Sequence, residues 1–88
     1  MDIEHSVTVK LLFFAKSKEL SGFKETTLSI PKKISYKQLL NIIAKKYNLE
    51  TIKNNILLAK NEVVCEETVD IVVSDRDSIA VIPPLSGG

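Results

Sequence analysis

The residues best suited to chemistry stand at the end of the chain. The 88-residue sequence closes Ile79-Ala80-Val81-Ile82-Pro83-Pro84-Leu85-Ser86-Gly87-Gly88: an apolar strand signature, two prolines, then two glycines with no charged residue after them. Proline fixes φ and donates no backbone hydrogen bond, so sheet pairing should stop at Pro83-Pro84. Residues 83-88 are therefore expected to project from a domain built by residues 1-82. From Pro84 to Gly88, four residue steps reach at most about 14 Å. A carboxylate on glycine has no side chain beside it, so it can enter a narrow channel and be attacked at its carbonyl carbon. It is a poor electrophile until activated, which implies a separate ATP-using enzyme that turns Gly88 into an acyl-adenylate. Leu85 and Ile82 are the apolar anchors that would offset the ordering of about five tail residues, roughly 1–2 kcal/mol each. The plainer account is a frayed terminus, against which stand the paired prolines and the lack of trailing polar residues.

No other residues rival the tail. One cysteine, Cys65, and one histidine, His5, form neither an internal disulfide nor a metal site together. Glu66 and Glu67 beside Cys65 should raise its pKa and suppress the thiolate. Asp75-Arg76-Asp77 lacks the further oxygen ligands of a calcium loop and reads as a tight turn. There is no Ser/His/Asp set and no phosphate loop, so the domain is expected to be the carried object rather than the catalyst, with no cofactor of its own. A formal net charge of +1 gives no global field to draw nucleic acid or an anionic membrane. No apolar run approaches the roughly 18 residues of a membrane span, and a cytoplasmic location is expected.

Eighty-eight residues suit one domain that buries roughly 60–65% of its unfolded surface. Val7, Val9, Leu11 and Phe13 alternate with Thr8, Lys10, Leu12 and Phe14, predicting a strand with one core-facing side. Leu12 and Phe14 make the second side apolar as well; packing within the domain is the favoured account of it, a partner the other. Residues 15–20 read as a short helix stopped at Gly22. Thr26, Leu28 and Ile30 predict a second strand, antiparallel to the first and ended by Pro31. Ser35-Tyr36-Lys37-Gln38 fits a capping box, with Ile34 and Leu39 as its hydrophobic staple. Tyr36, Leu39, Leu40, Ile43, Ala44 and Tyr47 then form one apolar stripe of a helix ending near Asn48. Lys37, Asn41, Lys45 and Lys46 on its other face read as solvated. Residues 56–59, Val63-Val64 after a turn at 60–62, and Val69 with 71–73 are short extended pieces. Ile79–Ile82 has the signature of a buried strand. The α+β class follows: one main helix across a mixed sheet of four to five strands.

At this point the chain resembles a known family, the sulfur-carrier subunits of molybdopterin synthases, above all their eukaryotic cytosolic form. The terminal run Ile79–Gly88 carries the resemblance almost residue for residue, and Phe14-Ala15-Lys16-Ser17 with Glu19-Leu20 and Gly22 is similar to the segment after that family's first strand. Arg76 departs from it, standing where an Asp-Gly-Asp turn usually has glycine. The resemblance implies a ubiquitin-like β-grasp fold. It also implies that Gly88 is adenylated by an enzyme of the ubiquitin-activating type and sulfurated to a thiocarboxylate by that enzyme's rhodanese-like portion. Two such tails would enter a dimer of large subunits, a heterotetramer in all, and deliver sulfur to cyclic pyranopterin monophosphate to build the dithiolene that holds molybdenum. The catalytic lysines of that family belong to the large subunit, so none of this chain's lysines inherits the role. Gly88 would carry the sulfur, with Gly87, Ser86, Leu85, Pro84, Pro83, Ile82 and Phe14 in the tail and its docking surface. The rival readings are carriers for thiamine or tRNA thiolation, the latter also acting as protein modifiers, whose tails share Gly-Gly but typically lack the Pro-Pro-Leu-Ser lead-in, and an interaction domain with an inert tail.

Overall fold

Alternation of apolar and polar residues builds the first strand, and two capping motifs punctuate the chain after it. The computed structural model describes residues 6–83. Strand β1 (Ser6–Phe13) buries Val9, Leu11 and Phe13. Helix α1 (Ala15–Ser21) follows and stops at Gly22, whose φ of 81° lets its N–H reach the Lys18 carbonyl. That left-handed position is open to glycine at no steric cost. Strand β2 (Glu25–Pro31) returns antiparallel to β1, from Leu12 opposite Glu25 to Ser6 opposite Pro31. It lies at the sheet edge, where a proline removes no ladder bond from a neighbour.

Helix α2 (Tyr36–Lys46) begins as the capping box requires: the Gln38 N–H donates to Ser35 Oγ at 3.1 Å, and the Ser35 N–H reaches Gln38 Oε1 at 3.4 Å. It ends in a Schellman arrangement, with Asn48 at φ 62° and the Leu49 N–H donating to the Ala44 carbonyl at 2.9 Å. The short strand β3 (Lys33–Ile34) precedes it. After a 3₁₀ turn at Lys53–Asn55 come β4 (Leu57–Lys60), β5 (Val63–Val64), β6 (Ile71–Val72) and β7 (Ser78–Ile82). The main sheet has the order β2-β1-β7-β4-β5, with β1 and β7 parallel and the other pairs antiparallel. β3 and β6 form a separate antiparallel pair that the sequence reading did not separate out, and Val69 lies outside β6 and exposed.

One cluster joins the inner sheet residues Val9, Leu11, Phe13, Leu28, Ile30, Leu58, Ile79 and Val81 to Leu39, Ile43, Ala44 and Tyr47 of the helical stripe. The Tyr47 ring lies 5.2 Å from Phe13, tilted, and 5.7 Å from Phe23, edge-on. The polar tip of Tyr36 serves the backbone: its hydroxyl donates to the Ile56 carbonyl and accepts from the Leu58 N–H, both at 3.2 Å. It thereby satisfies buried groups where β4 begins.

The turn into β7 takes a glycine-like conformation without glycine. Arg76 has φ 79°, while the Asp77 N–H donates to the Ser74 carbonyl at 3.1 Å. Left-handed backbone costs an L-residue roughly 1–2 kcal/mol, part of which glycine gives back as chain entropy. Arg76→Gly is therefore expected to raise stability by about 0.5–1 kcal/mol, read as a higher urea midpoint at unchanged slope.

The Asp77 carboxylate closes the same turn. It accepts from Asn61 Nδ2 at 3.0 Å and from the Ser74 N–H at 2.8 Å, and these bonds hold its pKa below the ordinary carboxylate range. A pKa lowered by folding adds stability above the unfolded value, and that stability is lost as pH falls through the folded value. Asp77→Ala should accordingly lower the urea midpoint at neutral pH. The gap to the wild type should narrow below the usual carboxylate range; a constant gap would contradict this.

Candidate functional site

Of the residues named for the site, Gly88, Gly87, Ser86, Leu85 and Pro84 lie outside the described residues, and His5 does too. The other three gather where β7 ends. Ile82 is half-buried and pairs with Leu57, and Pro83 beyond it is buried. Phe14 follows Phe13, whose register partner is Val81, and stands 48% exposed. Packing within the domain was the favoured account of Leu12 and Phe14; the structure instead leaves Phe14 open to solvent and Leu12 half-buried. The reason is topological. Helix α2 lies with the inner face, so side chains of the opposite parity on β1, β7 and β4 project from the other side.

That outer face is continuous. Register sets Leu12 beside Ala80, Ala80 beside Ala59, and Ala59 beside Val64. Leu57 and Ile82 form the next rung, and Leu57 and Val64 are 46% and 55% exposed. A groove of about 310 Å³ runs over it, lined by Leu12, Phe14, Ala59, Ser78 and Ala80 with Asn61 and Glu62. Ile79–Ile82 is thus buried on one face only. Sequence reasoning missed Leu57, Ala59, Val64 and Ala80. The signal was present in the apolar residues of both parities along 56–59 and 79–82, which reads as two-sided burial until the helices are counted against the faces.

One side chain ties this edge together. Ser17, fully buried, accepts from the Phe14 N–H at 3.0 Å. Its hydroxyl faces the Phe14 carbonyl at 2.8 Å and the Val81 carbonyl at 2.9 Å.

Cys65 lies apart, half-buried, in a pocket of about 220 Å³ lined mostly by valines and Ile71. Burial pushes its thiol pKa up, while the Lys60 backbone and charge pull the other way. The direction matches the sequence expectation, but burial causes it rather than Glu66 and Glu67. Among the described residues no three His, Cys, Asp or Glu side chains gather to hold a metal ion, and no helix is long and apolar enough to cross a membrane.

The profile of the ThiS family matches residues 11–88, from the middle of β1 through the last glycine. The chain belongs to the ThiS family. It is 46% identical over 86 residues to the molybdopterin synthase sulfur carrier subunit of Anopheles gambiae, an alignment spanning 94% of each chain. The solution structure of the Haloferax volcanii HVO 2177 protein superposes with a TM-score of 0.78 at 21% identity, covering 100% of this chain and 92% of that one. A chain from the complex of subunits 1 and 2 of molybdopterin-converting factor from Helicobacter pylori superposes at 0.67 and 22% identity, covering 93% and 100%. These structures share its ubiquitin-like β-grasp fold.

Proposed function

We propose that this chain is the sulfur carrier subunit of a molybdopterin synthase, with Gly88 as the carrying residue. The observation that supports it most is the family match running unbroken through Gly88, joined to an exposed apolar sheet face beside the strand from which that terminus departs. Each part has a use. An activating enzyme transfers the adenylyl group of ATP to the Gly88 carboxylate, releasing pyrophosphate. The outer sulfur of a persulfide on that enzyme displaces AMP, and an enzyme thiol then attacks the inner sulfur, forming a disulfide and releasing the thiocarboxylate. The thiocarboxylate sulfur is anionic at neutral pH and a soft nucleophile. Its attack on a side-chain carbon of the pterin precursor expels an oxygen bound to that carbon, and water then cleaves the acyl–sulfur bond, leaving the sulfur on the pterin and returning the carboxylate.

The large synthase subunit covers the outer face around Phe14, Leu12 and Ile82 while Pro83, Pro84, Leu85, Ser86 and Gly87 lead Gly88 into its active site. Two such units make a heterotetramer in the cytosol. An aromatic side chain exposed on an otherwise aliphatic face has the character of an interface hot spot. Mass spectrometry after co-expression with a ubiquitin-activating-type adenylyltransferase and sulfurtransferase tests the reading, since replacing one carboxylate oxygen by sulfur adds about 16 Da. An unshifted mass under conditions that modify a known carrier would overturn it.

A further inference from the structure

We infer that Ser17 is a positioning residue that locks Phe14 to the end of β7 and so sets the direction in which the functional tail leaves the domain; the inference rests on the carrier reading above. β1 and β7 run parallel until Phe13 opposite Val81. The β1 chain then turns into α1, so the backbone supplies no further rung. The Ser17 hydroxyl takes its place. It accepts from the Phe14 N–H at 3.0 Å and offers its one proton to the carbonyls of Phe14 and Val81, at 2.8 and 2.9 Å. The ladder therefore continues for one step through a side chain, and the next residues along β7 are Ile82 and Pro83.

Two further observations favour a positioning role over simple satisfaction of polar groups. Ser17 stands fully buried, although its α1 neighbours Lys16, Lys18 and Glu19 are exposed, so its hydroxyl is held out of water at a cost that its hydrogen bonds to Phe14 and Val81 must offset. Beside it Ala15 is held at φ 50°, a left-handed conformation that persists only where the surroundings fix it. The Phe14 N–H and carbonyl, pinned by Ser17, fix the residue before it. The outcome is one rigid corner made of the exposed Phe14 ring, the start of α1 and the last rung of β7, and a site held by packed, hydrogen-bonded elements is presented with little angular freedom.

Steady-state ATP–pyrophosphate exchange by the activating enzyme, with the full-length carrier as the varied substrate, tests this. Measurements belong well below the unfolding temperature of every variant. Ser17→Ala should raise KM for the carrier about tenfold with kcat unchanged, because Gly88 is intact once bound but the surface that delivers it is loosened. Ser17→Thr, which restores the hydroxyl, should return KM to within about twofold. An unchanged KM in Ser17→Ala overturns the inference, as does an equal rise in both variants, which marks a packing effect. Wild-type carrier that supports no exchange overturns the carrier reading itself, whereas active wild type with an indifferent Ser17→Ala removes only the role of Ser17.

Discussion

A chain ending at Ser86 is expected to fold like the full-length protein and to yield no thiocarboxylate and no molybdopterin. The core, the β1–β7 ladder and the Ser17 bridge all lie within residues 6–83. Removing two residues beyond them should change stability by no more than about 0.5 kcal/mol, a shift of roughly 2–4 °C for a domain of this size. The chemical loss should be complete. The new carboxylate would sit about 7 Å short of its former reach, and Ser86 would place a Cβ and hydroxyl beside the carbon to be attacked, where glycine has neither. Gly88→Ala separates the two effects, because it keeps the reach and adds only the methyl group; a partial loss in it and a total loss in the shorter chain is the expected order. Intact-mass measurement, with product assay on reconstitution with a large subunit and cyclic pyranopterin monophosphate, reads both. Product from the shorter chain at the wild-type rate would end the assignment.

Local signals in the sequence foretold local structure well. The Ser35–Gln38 box, the Gly22 stop and the six-residue stripe of α2 are each settled by a few adjacent side chains, and each appears where the pattern puts it. What the sequence hid depends on which strands become neighbours. The parallel pairing of β1 with β7 joins residues almost seventy apart. That pairing, together with the antiparallel β4–β7 pair, makes Leu12, Ala80 and Ala59 into one surface. Periodicity says which residues share a face of a strand, not whether a helix covers that face, and with α2 already assigned to one side the second apolar side had nothing left to bury it. Ser17 was hidden for the same reason: its partners are Phe14, three residues away, and Val81, sixty-four residues on. Arg76 shows the reverse case, a glycine geometry imposed by the turn on a residue that does not favour it.

Phe14→Asp should abolish productive docking to the large subunit while leaving the domain folded. The folding side follows from position. Phe14 is the residue preceding α1, has extended backbone angles of φ −126° and ψ 147°, and makes no side-chain cap of its own. Aspartate is among the best residues at such a position, since its carboxylate accepts the free N–H groups of the first turn. The ring it replaces is 48% exposed, so only about half of its area is lost from burial, which the new cap partly offsets, and the Ser17 bonds run to Phe14 backbone atoms that any residue supplies. The binding side has the opposite sign. A carboxylate trapped unpaired in an apolar interface costs roughly 2–5 kcal/mol, which corresponds to a loss of about 30-fold to several thousandfold in affinity. Calorimetric titration with the large subunit measures it. Val63→Asp is the matched control: Val63 is 69% exposed and pairs with Lys60 on the opposite side of the edge from Val64, so its change in affinity should stay within about twofold. If Phe14→Asp binds as tightly as the wild type, the partner does not cover the Phe14 end of the outer face. If Val63→Asp weakens binding as much as Phe14→Asp, a general charge effect accounts for both.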